Sequence, residues 1–279
     1  MPRMKLWMLL LVAWCALGCS KSGEQSLTKA REQARELVRI TERDVAEVRA
    51  GLPEGAKVLS ELAADKRALG DAQEVRRALV RSRDKVQDLR VAKSTFFAWV
   101  DPQGMIVRTD QEQDSMAGKN LFEAFPELKK ALSGGRAEAI GSLPEAAAVS
   151  GRKDGQWVSA VPVTHGGEVR ALYVSGWSWS AYAYRLENAL RGSVQSSLGD
   201  KGKLPLLYVY IVVDREIHGA PVSPEVNAQA IAAQGPLSKL KDGGFGTALE
   251  ITGRDFALAV QKAPIFGQKV AVAVLWSET

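Results

Sequence analysis

Cysteine and histidine are scarce. Cys15, Cys19, His165 and His218 are the whole supply in 279 residues. Both cysteines fall within the first twenty residues, so the body of the chain can build neither a disulfide framework nor a cysteine zinc site. Two histidines, each in an expected turn, leave little for histidine-based catalysis, and the zinc-protease and serine-hydrolase patterns are missing. The glycine-rich Lys241-Asp242-Gly243-Gly244-Phe245-Gly246 precedes a strand pattern, not the helix that a phosphate loop needs. An excess of one charge is lacking too: 37 Lys and Arg face 32 Asp and Glu, for a net +5. That is not the clustered basic footprint of a nucleic-acid binder. Only residues 6–18 run continuously apolar, which excludes a polytopic membrane protein. The chain is therefore read as no enzyme, with no metal, no cofactor and no nucleic acid as partner. What remains is ordinary globular composition, 46% hydrophobic and 25% charged.

The start of the chain reads as an address. Arg3 and Lys5 precede the apolar 6–18 stretch, the pattern of a signal peptide over 1–18. It ends Ala16-Leu17-Gly18-Cys19-Ser20, which resembles a bacterial lipobox, with Ala16 where leucine is usual. The resemblance implies cleavage before Cys19 and acylation of that residue. Ordinary cleavage nearby, with Cys19 lost or left as a free thiol, is the alternative. Two or three acyl chains hold a protein on a membrane where a single one binds only marginally. Removing Arg3 and Lys5 takes the formal charge from +5 to +3 (5 − 2). The expected place is the bacterial cell envelope, lipid-anchored and periplasm-facing. Ser20 after the cysteine favours the outer membrane.

Beyond a lipidated tether at 19–25, apolar residues at three- and four-residue spacing predict helices over 26–50 and 56–93. Gly51-Leu52-Pro53-Glu54-Gly55 is expected to interrupt them, giving a helical hairpin or stalk over 26–94. Arg31, Arg35, Arg39 and Arg43 line one helix face. They suit anionic headgroups, or a solvated face paired with Glu32, Glu36, Glu42 and Glu47, the reading those carboxylates favour.

From Thr95 the texture turns to strands: 95–100, 105–109, 156–163 and 168–177, with a helix at 121–132 and another at 178–198. The pattern then restarts, with strands at 206–213, 247–251, 254–262 and 270–276 and a helix within 223–240. Landmarks recur in order: Asp101, Gly134-Gly135, Trp157, Pro162 and Trp177-Ser178, then Asp214, Gly243-Gly244, Phe256, Pro264 and Trp276-Ser277. Recurrence of this kind reads as two copies of one module, at 95–199 and 200–279.

Phe96-Phe97-Ala98-Trp99-Val100-Asp101-Pro102-Gln103-Gly104-Met105, then Gly118-Lys119-Asn120-Leu121 and Phe125-Pro126, resembles the Cache branch of PAS-like extracytoplasmic sensor domains, in its double form. The resemblance implies an α+β fold: a long helical hairpin followed by two PAS/Cache-like modules with antiparallel sheets. It also implies a small ligand held between a sheet and its cover. Candidate ligand-binding residues in the first module are Arg108 and Asp110, Trp157 and Ser159, and Tyr173 and Ser175. Each pair has the two-residue spacing that shares a strand face. Arginine suits a carboxylate, aspartate an amine, and tryptophan a cation or ring. Coincident faces would fit a small metabolite such as an amino acid or carboxylate. The chain carries no membrane helix or cytoplasmic output after its strands, so output is expected through an envelope or receptor protein. The rival expectation is a structural or interaction envelope lipoprotein with no small ligand.

Overall fold

The computed structural model describes residues 4–277 apart from 92–94, 150, 152 and 199–201, with side chains from Gly23 onward, Lys66 excepted. The side chains of the export segment and of Cys19 lie outside the described residues. Helix α1 (Met4–Ala64) leads into α2 (Lys66–Gly70), α3 (Ala72–Lys85) and α4 (Gln87–Val91). Of the seam read from spacing in the first helix, Ala30, Ala34, Leu37, Thr41, Val45 and Val48 are enclosed and Leu27 is half-buried. Of the second seam, Leu62, Val75, Leu79 and Leu89 are buried, Leu69 and Val86 half-buried and Ala72 exposed. Residues 23–25, where a tether was expected, are already helical.

The expected break at Gly51–Gly55 is absent, because α1 runs straight through Pro53. A proline inside a helix strips the bond to the carbonyl four residues earlier. Here that carbonyl belongs to Arg49, and the Arg136 guanidinium reaches it at 3.4 Å. The two glycines serve close approach instead. A Cβ on Gly51 would stand 2.6 Å from Leu89 Cδ2, and one on Gly55 2.6 Å from Tyr173 Cε1. The chain turns later, where Asp65 caps α2 through the Arg67 amide (2.8 Å) and Asp71 caps α3 through the Gln73 amide (2.8 Å). Opposite signs follow for two helical Gly→Ala changes. Gly192, in the later helix, has nothing within 4 Å of an added Cβ. Gly192→Ala should raise stability by about 0.5–1 kcal/mol. Gly55→Ala should lower it, since overpacking costs about 1–3 kcal/mol and outweighs alanine's helix preference. Urea midpoints of the two variants check this.

The chain divides into two compact units, Ile40–Arg185 and Met1–Arg39 with Leu186–Thr279. The first contains β1 (Phe96–Val100), β2 (Ile106–Thr109), α5 (Leu121–Ala124), a 3-10 helix (Pro126–Ser133), β3 (Ala137–Gly141), β4 (Gln156–His165) and β5 (Glu168–Ser178). Its antiparallel sheet runs β2-β1-β5-β4-β3. At the β1–β2 turn, Asp101 accepts the amides of Gln103 and Met105. Gly104, at φ 94, lets Phe122 close in where a Cβ would meet its ring at 2.3 Å. The helix expected at 121–132 stops at Ala124 because Pro126 follows, and continues as 3-10.

After α6 (Trp179–Leu198) come β6 (Leu206–Val213), β7 (Glu216–Gly219), α7 (Glu225–Ala233), α8 (Pro236–Lys239), β8 (Phe245–Ile251), β9 (Arg254–Lys262) and β10 (Val270–Ser277). This sheet runs β7-β6-β10-β9-β8, also antiparallel throughout. Numbered from its own first strand, each sheet reads 2-1-5-4-3, so the second module repeats the topology of the first. His218, expected in a turn, lies instead in β7, buried and 3.5 Å from Glu216.

Candidate functional site

Each sheet has two faces with different covers. In the first module, the inner face carries Phe96, Ala98, Val158, Ala160, Leu172 and Val174, packed under α5 and the 3-10 helix. Alternation sends the intervening residues to the other face, against α1 and α3. The six candidate residues all lie there. The ladders align Ser159 with Ser175, Trp99 with both Tyr173 and Arg108, and Trp157 with Trp177. Asp110 pairs with Phe97 just past the end of β2, its amide donating to the Phe97 carbonyl at 2.9 Å.

The sequence thus brings the six to one face, and that face is sealed. Trp157, Ser159, Tyr173 and Ser175 are at most 2% exposed. Trp157 packs against Trp177 with ring centroids 4.5 Å apart, and Tyr173 stacks on Phe97 at 5.8 Å. Ser175 Oγ donates to the Phe96 carbonyl, while the Ser159 hydroxyl makes no hydrogen bond among the described residues. Arg108 faces Asp114, Nε to Oδ2 at 3.5 Å. Tyr173's hydroxyl titrates well above its ordinary range because it is buried, with the neighbouring Ser82 hydroxyl opposing that shift.

Asp110 is the one carboxylate of the set, and the helices hold it. Its Oδ1 accepts the Phe97 amide and its Oδ2 accepts Arg83 Nη1, both at 2.9 Å. Arg76 Nε reaches its main-chain carbonyl at 3.3 Å. Burial raises the Asp110 carboxyl above its usual range, against the lowering effect of the Phe97 amide and of Arg83. A carboxyl raised by folding favours the native state when protonated. Its contribution is complete below the unfolded pKa and is lost as pH rises through the folded one. Asp110→Asn should therefore gain on the wild type between acid and neutral pH, as read from denaturation midpoints across that range.

Spacing gave no sign of the helix residues that enclose this face. Asp44, wholly buried on α1, accepts the Tyr182 hydroxyl at 3.1 Å and Arg185 Nη2 at 2.8 Å. These partners stand 138 and 141 residues away in sequence, beyond any local pattern. Burial pushes the Tyr182 hydroxyl far up, and the neighbouring Asp44 carboxylate pushes it further.

The second module has the same two faces. Trp276 is on its outer side under Lys29, whose Nζ lies 5.8 Å from the ring centroid. Glu187 accepts the Val209 amide at 3.1 Å, and Arg191 donates to the Leu207 carbonyl at 2.7 Å. The inner faces differ. Among the described residues, the first module's inner cluster has 17 buried members and 3 partly buried ones, whereas the second has 10 and 9. The first inner space is filled by its own side chains, and the second is only partly capped. No helix of the described residues is long and apolar enough to cross a membrane, and none of their His, Cys, Asp or Glu side chains cluster in threes to hold a metal ion.

No protein-family model matches this chain, and no curated protein does. Solved structures do match. The ligand-binding domain of the Campylobacter jejuni chemoreceptor Tlp3, in complex with 4-methylisoleucine, is similar at TM-score 0.52 and 10% identity, over 91% of this chain and 92% of that one. A domain of a sensory box/GGDEF family protein from Vibrio parahaemolyticus gives TM-score 0.58 at 9% identity, over 92% and 98%. The extracellular domain of a histidine kinase gives TM-score 0.58 at 8% identity, over 93% of each chain. At such identities the similarity is one of fold. The chain has the α+β fold of Cache/PAS-like sensor domains: a long N-terminal helix followed by two antiparallel five-stranded sheets.

Proposed function

We propose that the protein is an extracytoplasmic sensory protein that binds a small metabolite, is held at the cell envelope by acyl groups on Cys19, and passes its state to a separate membrane protein. The observation that carries this reading is the doubled 2-1-5-4-3 sheet, in a fold shared over nine-tenths of the chain with extracellular sensory domains. The Tlp3 domain was crystallised with amino-acid ligands, and an amino acid or small carboxylate is the class proposed here. The protein's work is then binding and relay, not bond chemistry. Thermal-shift screening of amino acids, carboxylates and amines tests it. A ligand at a hundred times its Kd should add about 2.7 kcal/mol to native stability. No reproducible shift at millimolar ligand would count against it. For the anchor, Cys19→Ala should move the protein from the membrane to the soluble fraction, and continued membrane association would refute acylation.

The filled inner face of the first module favours a second reading, an envelope interaction lipoprotein with no small ligand. Here Phe122, Phe125, Leu128 and Met116 occupy the space between sheet and cover. Under that reading the same screen stays flat, and crosslinks placed at the exposed Arg77 and Lys85 of α3, beside the buried Leu62 and Leu89 seam, capture an envelope protein.

A further inference from the structure

The second module offers the opening that the first has closed. A cavity of about 610 Å³ lies where the β6–β7 hairpin, the last turn of α7, α8 and the turn before β10 meet. That volume is in the range of small-molecule sites, about 300–1,000 Å³. Its floor is aliphatic: Ile217 from β7, Ala232 from α7 and Leu237 from α8. Ile217 and Leu237 are only partly buried against the inner cluster, so each has apolar surface left to cover.

The rim is charged unevenly. Arg215 and Lys269 supply two cations, and Asp214 a single carboxylate. Lys269 Nζ reaches Asp214 at 3.3 Å, an exposed pair that holds little energy and can be exchanged for another anion. Arg215 lies on the same turn, and its planar fork suits a carboxylate. Asp214 holds φ at 51, in the left-handed region, where it fixes the tight turn that presents Arg215 beside the cavity. An aliphatic floor under a net-positive rim selects a molecule with an apolar body and one negative end.

We infer that the second module binds a small amphipathic carboxylate, its aliphatic part on Ile217 and Leu237 and its charge between Arg215 and Lys269. This deepens the sensory reading above and rests on it. It moves the ligand away from Trp157, Ser159, Tyr173 and Ser175, which are packed shut, and from the half-buried Arg108 and Asp110, which are engaged by Asp114 and Arg83. It also places ligand against α7 and α8, the least buried cover of either sheet, where occupancy can change how that cover closes.

Titration calorimetry of the full chain tests the site, with isocaproate as probe and isoamylamine, the same skeleton bearing a positive end, as control. Isocaproate should bind and isoamylamine should not. Arg215→Ala with Lys269→Ala should weaken isocaproate by about tenfold or more, the scale of a lost charge-assisted contact. Both side chains are exposed, so this variant keeps its fold. Leu237→Trp, which fills the floor, should abolish binding, and Ser159→Ala in the first module should leave it unchanged. Isocaproate binding that ignores the second-module changes overturns the site and leaves the sensory reading standing. A wild type that ignores isocaproate but answers another compound of the metabolite panel overturns the ligand class. A wild type that binds nothing in the panel overturns both readings.

Discussion

Asp44→Ala should cost the first module about 3–5 kcal/mol, because it leaves Arg185 charged and partly buried with no carboxylate beside it. Asp44 is wholly enclosed and takes two donors, the Tyr182 hydroxyl and Arg185 Nη2 at 2.8 Å. Desolvating a charge is expensive, and only the partner offsets it. Losing one member is therefore worse than losing both. Asp44→Leu combined with Arg185→Met, which replaces the pair by apolar side chains of similar size, should recover most of the loss. Urea denaturation followed by tryptophan fluorescence reads this well, since Trp99, Trp157, Trp177 and Trp179 all belong to this unit. A loss below about 1 kcal/mol for Asp44→Ala would mean that the pair is no more than a surface contact.

Trp177→Ala should be of similar size, about 3–5 kcal/mol, the cost of emptying a large aromatic site in a packed core. Trp177 is fully buried between Trp157 and Tyr182, each with ring centroids at 4.5 Å, and lies nearly parallel to Tyr182 at 12°. Aromatic pairing adds about 0.5–1.5 kcal/mol per pair beyond the area buried. Tyr182 touches both Trp177 and Asp44, so the two substitutions share a neighbour. Combining Trp177→Ala with Asp44→Ala should miss the sum of the single losses by about 0.5–3 kcal/mol. Strict additivity would show that the stacked rings and the Asp44 cluster are independent.

Much of the fold could be read directly from the chain. The strands at 206–213 and 254–262 match β6 and β9 residue for residue, and the landmark repeat pointed to the shared strand order. Both segments are long and bounded by turns, and the first is rich in β-branched residues. Strand β3 escaped notice because Ala-Glu-Ala-Ile-Gly carries little strand preference, and its place comes from pairing with β4. Pro53 misled because the group that relieves it, Arg136, lies 87 residues from the orphaned carbonyl of Arg49.

The candidate residues show a different limit. Two-residue spacing correctly put Trp157 with Ser159 and Tyr173 with Ser175, and the ladders brought the pairs onto one face. Alternation says which residues share a face and is silent on which layer covers it. Here helices cover that face, through contacts such as Arg83 with Asp110 that no local pattern contains. The second-module cavity was equally hidden, since it draws together Arg215, Leu237 and Lys269 from three separate turns and helices.

The functional reading depends on one asymmetry between two copies of the same sheet, the first filled by its own side chains and the second left open for a ligand. Native-state hydrogen exchange on the full chain without ligand measures it directly. Amides of β4 and β5 should exchange only through global unfolding, while those of α7 and α8 exchange orders of magnitude faster through local opening. Protection of α7 and α8 equal to that of β4 and β5 would contradict it, because the second cover would then be held as firmly as the filled first module.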